Sequence, residues 1–156
     1  MTIRILVVCE GSSDQRTGCG LADRVLIEAH DWMDGILDTQ RSWVGVSDTR
    51  RCLLWKHVAD EYEAKHLPHF IKMGRGLKPD AWRAARALVL ADLLGVQAVC
   101  FLRDLNDQPA RKVGMEQARK HISHMLCVIG VANRMQEAWL LNGFLPNGDV
   151  EWQLLL

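Results

Sequence analysis

The sequence has no long apolar run, no excess of either charge and no paired-cysteine motif. Each absence narrows what the chain can be. The longest apolar stretch, around Ala87–Leu94, is broken by Asp92 and falls well short of the ~20 residues a membrane span requires. The 19 Lys+Arg balance the 19 Asp+Glu, so the formal net charge is zero, which weakens the case for holding DNA by overall charge and leaves a local patch, a metal or a partner for that role. The five cysteines (Cys9, Cys19, Cys52, Cys100, Cys127) are odd in number and form no C-x-x-C pair. That excludes a disulfide framework and a zinc ribbon, and Cys9, Cys100 and Cys127 sit in apolar runs where a thiol acts as a small core residue. No Gly-Lys-Ser/Thr occurs, and Gly18-Cys19-Gly20 is followed by Asp23 where a dinucleotide fingerprint needs Gly. Ser12 and Ser13 lack the G-x-S-x-G elbow of a serine hydrolase. His66-x-x-His69 and His121-x-x-His124 have no Cys or acidic partner at a zinc spacing. The opening Met-Thr-Ile-Arg-Ile-Leu-Val-Val-Cys is too short and too β-branched for a signal peptide, so a cytoplasmic protein with no membrane contact is expected.

What remains is an ordinary globular balance, 49% hydrophobic and 24% charged over 156 residues, which suits one domain with one core. Ile3–Cys9 is a continuous Ile/Leu/Val run, as in a strand buried on both faces. Glu10–Asp14 reads as a loop, and apolar spacing predicts a helix over Leu21–Trp32. Ser42–Val46 reads as a short strand, Thr49–Lys65 as a helix, and His69–Met73 as a strand before the Gly74-Arg75-Gly76 turn. Pro79-Asp80 opens a helix over Ala81–Leu94, closed by Gly95. Gln97–Leu102 and Met125–Val131 read as buried strands, separated by a helix that starts at Pro109. Asn133 can cap a last helix running to about Leu141. Strands alternating with helices predict an α/β domain with a mostly parallel central sheet flanked by helices.

In such sheets ligands bind where strands end at their carboxyl termini. Glu10 follows the first strand, Asp104 follows Gln97–Leu102 after one residue, and Glu137 lies one turn into the last helix. Asp14 and Asp107 share these loops. Carboxylates gathered at one rim repel unless a hard cation such as Mg²⁺ or Mn²⁺ sits among them. Taken singly, each has a structural role open to it. Asp104, Asn106 or Asp107 can cap the Pro109 helix, Glu10 and Asp14 can favour the dipole of the helix that follows them, and Glu137 can be a solvated helix residue.

The segment Ile5-Leu6-Val7-Val8-Cys9-Glu10-Gly11, with Asp14 three residues on, resembles the first motif of TOPRIM domains. Asp104-Leu105-Asn106 matches their later Asp-x-Asp in part. Glu137-Ala138-Trp139-Leu140-Leu141, after Val128-Ile129-Gly130-Val131-Ala132, is similar to the third motif of small stand-alone relatives of the OLD-family nuclease domain. The resemblance implies a TOPRIM-like, Rossmann-like three-layer sandwich over residues 1–145. It implies a metal-dependent nuclease acting on phosphodiesters, with an ATPase partner in phage defence. Glu10, Asp104 and Glu137 would be catalytic, and Glu10, Asp104, Asn106, Asp107 and Glu137 would hold Mg²⁺ or Mn²⁺. Asn106 departs from the pattern: its carbonyl brings no charge, so metal affinity should fall unless Asp107 substitutes. A non-catalytic assembly module that keeps the fold is therefore the alternative.

Lys72, Arg75 and Lys78 around two glycines, with Arg103 beside the Asp104 loop, are the candidate phosphate contacts for nucleic acid, DNA first. A solvated basic loop is the plainer reading of the first three, and Arg103, like Arg111, can equally balance local acids. Residues 146–156 form an apolar tail with Trp152 and three terminal leucines, which either docks on the core or joins copies into a homo-oligomer.

Overall fold

The structure, a computed structural model, describes residues 2–47, 50–68 and 73–133. The first apolar run forms β1 (Ile3–Cys9), and Leu6, Val7, Val8 and Cys9 are fully buried. α1 (Ser12–Ala29), a 3-10 turn at Asp31–Met33 and the short α2 (Leu37–Gln40) lead to β2 (Arg41–Val44). β3 (Leu53–Leu54), a 3-10 turn at Trp55–His57, α3 (Val58–Ala64) and α4 (Ala81–Leu93) come next. Then come β4 (Ala98–Asp104), α5 (Ala110–His121) and β5 (Leu126–Ala132).

Every described strand pair is parallel. β2 and β3 share one edge of β1, β4 lies along its other edge, and β5 lies outside β4. On one face of the sheet Val7, Cys9, Cys100 and Leu102 pack with Cys19 of α1. On the other, Leu6, Val8, Val99 and Phe101 pack against α3, α4 and α5. The fold is a mostly parallel, Rossmann-like three-layer α/β arrangement, as the alternation of runs predicts. The chain fills one side of β1 first and the other side later, so the order reverses between β1 and β4. That is the switch point, and ligand crevices in open α/β sheets form there. Among the described residues no helix is long and apolar enough to cross a membrane.

Several local expectations are corrected. α1 begins at Ser12, inside the expected loop, because the Asp14 carboxylate accepts the Gly11 N–H at 2.9 Å and closes a capping turn. Apolar spacing missed this half of the helix because its contact with the sheet uses small residues. A Cβ on Gly18 would stand 2.3 Å from Leu102 Cδ1. Gly18→Ala should therefore lower stability by about 1–3 kcal/mol despite its better helix propensity, read as the midpoint of thermal or urea unfolding.

The helix expected over Thr49–Lys65 survives only as α3. Leu53 and Leu54 instead join the ladder beside Val8 and Cys9, and the Trp55 indole N–H donates to the Leu102 carbonyl at 2.8 Å. Tertiary pairing overrides helical spacing there. β4 runs to Asp104, two residues past the expected Leu102. β5 is not buried throughout: Leu126 and Val128 are 67% and 58% exposed. Of the expected strand His69–Met73, residues 69–72 lie outside the described residues and Met73 is irregular. The helix after Asn133 and the tail 146–156 also lie outside them.

Candidate functional site

The rim of the switch point is built from the ends of β1 and β4. Their register sets Val8 beside Phe101, which brings Glu10, just past β1, level with Arg103. Side chains alternate along a strand. Leu6 and Val8 face α4 and α5, so Glu10 follows on that face, and Arg103 follows Phe101 there too.

Arg103 is the centre of this face. Its Nη1 donates to Glu10 Oε1 at 2.5 Å. Its Nε and Nη2 donate to the two oxygens of Asp80 at 3.0 and 3.4 Å. The guanidinium lies 5.3 Å from the centroid of the Trp55 ring, which is itself buried on Phe101. Arg103 and Asp80 side chains are 9% and 8% exposed, and Glu10 is 32% exposed. Arg111 stands behind them, 4.0 Å from Glu10 Oε1 and 3.9 Å from Asp80 Oδ2, and donates to the Asp104 carbonyl at 3.2 Å. Arg83 Nη1 reaches Asp80 at 3.6 Å. Three arginines thus surround two carboxylates, in a fork geometry that Lys could not reproduce.

The other expected residues fall as follows. Asp104 ends β4, and alternation after Cys100 and Leu102 puts it on the α1 face, opposite to Glu10. The two carboxylates share the rim but not a face. Asn106 and Asp107 form the turn after β4, both with left-handed backbone (φ 48° and 58°). α5 has Pro109 as its N-cap and no side-chain capping bond. Asp14 is committed to Gly11. Lys78 lines an open cleft of about 540 Å³ with Trp82, Arg83 and Arg86, and Asp80 joins that cleft to the rim. Arg75 lines a separate hollow with Gln117, Lys120 and His121. Lys72 and Glu137 lie outside the described residues. Arg103, expected at a phosphate, has its donors on Glu10 and Asp80.

Sequence reading missed Asp80, Arg83 and Trp55. Asp80 was only a helix opener, yet it takes a left-handed conformation (φ 66°) at the start of α4 that turns its carboxylate to Arg103. Nothing in the spacing signals that.

Glu10 and Asp104 are oxygen donors of the kind Mg²⁺ and Mn²⁺ prefer. Among the described residues, however, no group of three or more His, Cys, Asp or Glu side chains could hold a metal ion. The donor set is right in chemistry and incomplete without Glu137. Four of the five thiols are buried and held protonated at neutral pH. Burial pushes Cys100 up to about 11 and Cys19 and Cys127 up to about 12, and it raises Cys9 as well.

Comparison with family models, curated proteins and solved structures found no match. The likeness to TOPRIM domains rests on the motif residues alone.

Proposed function

We propose that the switch-point rim is a nuclease-type site acting on phosphodiesters, DNA first, with Mg²⁺ or Mn²⁺ held by Glu10, Asp104 and Glu137. The observation that carries this reading is the placement of Glu10 and Asp104 at the ends of two neighbouring central strands, where the strand order reverses. The adjoining cleft adds support: Lys78, Arg83 and Arg86 line it and make it a cationic surface for a phosphate backbone, although Arg83 also reaches Asp80 and Arg86 also lies over the Tyr62 ring. A bound dication would polarise the attacking water and offset the charge on the phosphoryl group. The chain's own part is positional. Arg103 fixes the Glu10 carboxylate, and Arg111 pins the Asp104 main chain. The motif resemblance extends the proposal to a cytoplasmic protein working with an ATPase in phage defence.

A second reading, an assembly module without catalysis, is favoured by two specific features. Glu10 already has a cationic partner in Arg103, and Asn106 replaces an acid. Calorimetric titration with Mn²⁺ and Mg²⁺, paired with DNA cleavage, separates the two. The nuclease reading expects metal-dependent cleavage that falls about a hundredfold or more in Glu10→Gln and in Asp104→Asn. Absence of metal binding, with both variants behaving as wild type, would leave the assembly module standing.

A further inference from the structure

The sheet is covered unequally. α3, α4 and α5 pack across one face, whereas on the other face the described helix is α1, over β1 and the near side of β4. Beside α1 lies a groove of about 470 Å³ whose exposed lining is almost wholly apolar. Val25 and Leu26 of α1 form one wall, Cys100 of β4 the floor, and Leu126 and Val128 of β5 the far side. Val25 is 61% exposed, and the two β5 residues are more than half exposed. Contiguous apolar surface of this kind marks a place where something docks.

The chain supplies its own occupant. The groove lies at the start of β5, by Leu126 and Val128; β5 ends at Ala132, at the carboxyl rim, and residues 134–156 follow. They carry Trp139, Leu140, Leu141, Phe144, Leu145 and three further leucines at 154–156. Among the described residues β5 is an edge strand, and a segment that turns back from its carboxyl end crosses one face of the sheet or the other; α4 and α5 already occupy the opposite one. β5 is about 20 Å long. The helix that the sequence predicts from Asn133 to about Leu141 would cover about 12 Å of that return, and the next few residues would reach the level of Val128 and Leu126. Tethering also gives the segment an effective concentration on the order of millimolar at the groove, above that of any second copy in dilute solution.

We infer that residues 134–156 dock in cis on the apolar groove between α1 and β5, completing the third layer of the sandwich. The segment would start at the rim on the face that Asp104 occupies, bringing Glu137 within a helical turn of it. That corollary rests on the proposed rim site; the docking does not.

The test uses the full chain. A nitroxide label is attached at Ala29→Cys, one turn beyond Val25 and outside the groove lining. The background is Cys52→Ser, since the other four cysteines are buried. The indole N–H resonance of Trp139, assigned with Trp139→Phe, is then read in ¹⁵N-labelled protein. Docking in cis predicts broadening when label and isotope share a chain, and none when a labelled ¹⁴N chain is mixed with an unlabelled ¹⁵N chain. Val128→Arg should restore the Trp139 signal. Broadening in the mixed sample would assign the groove to a second copy and overturn the proposal. Absence of broadening in both samples, or broadening unaffected by Val128→Arg, would overturn it equally. None of these readings depends on cleavage activity.

Discussion

Arg103→Ala should destabilise the fold by about 3–5 kcal/mol, the range for removing one partner of a buried ion pair. For a chain of this size that is a fall of roughly 10 °C in Tm. The cause is less the loss of attraction than what is left behind. The Asp80 side chain is 8% exposed and receives two bonds from Arg103, so truncation leaves a largely buried carboxylate with the longer contacts to Arg83 and Arg111, at 3.6 and 3.9 Å. Glu10, 32% exposed, can rehydrate and contributes the smaller part. The Trp55 ring also loses the guanidinium packed 5.3 Å from its centroid. Arg103→Lys should fall between wild type and Ala, because one ammonium cannot bridge both carboxylates. Arg103→Met combined with Asp80→Asn should recover part of the loss, since the stranded charge is gone. Thermal unfolding of the four proteins checks this. Equal Tm values for Arg103→Ala and the double variant would show that the stranded charge of Asp80 is not the cause.

This network also explains how much of the site could be read in the sequence. The layers were legible because they follow from apolar runs. Ile3–Cys9, Gln97–Leu102 and Met125–Val131 have continuous β-branched and aliphatic character, and Ala81–Leu94 has helical spacing closed by glycine. Parallel pairing then fixes which ends share a rim, so the placement of Glu10 and Asp104 at neighbouring strand ends could be read from the sequence. What each carboxylate meets was not legible. That depends on alternation beyond the strand ends, which sends Glu10 and Asp104 to opposite faces. It also depends on one left-handed residue, Asp80, about seventy positions from Glu10 in the chain. β3 was missed for a related reason: two leucines beside Val8 and Cys9 carry no periodicity of their own, only a tertiary partner.

The same reasoning bears on the choice between catalyst and scaffold. An arginine that holds Glu10 and Asp80 together stabilises the switch point in either case. Its presence therefore speaks to how the rim is kept in shape rather than to what the rim does. The variants that separate the readings are those at Asp104, which alternation puts on the other face of the sheet from Glu10. Asp104→Asn keeps the size of the side chain and the main-chain carbonyl that Arg111 bonds, and a loss of cleavage at an unchanged Tm would assign the loss to the site and not to a collapsed rim.

Gly114→Ala is the second substitution expected to have a large effect, and propensity alone gives the wrong sign. Within α5, alanine should gain about 1 kcal/mol over glycine. But a Cβ on Gly114 would stand 1.9 Å from the Pro79 carbonyl oxygen and 2.9 Å from the Ala81 nitrogen. Both are backbone atoms of the turn that starts α4, so no side-chain rotation relieves the clash. Either α5 moves off, opening its packing on α4, or the turn shifts and carries Asp80 away from Arg103. Overpacking of this sort costs about 1–3 kcal/mol, and more where backbone must move. The net expectation is a Tm several degrees below wild type. If the turn is what moves, Gly114→Ala and Asp80→Asn act on one contact, and the double variant should lose less than the two single losses added together. Strict additivity would mean that α5 yields instead. A Tm at or above wild type would show that the close approach of α5 to the Pro79 turn is not required, and that Asp80 reaches Arg103 without it.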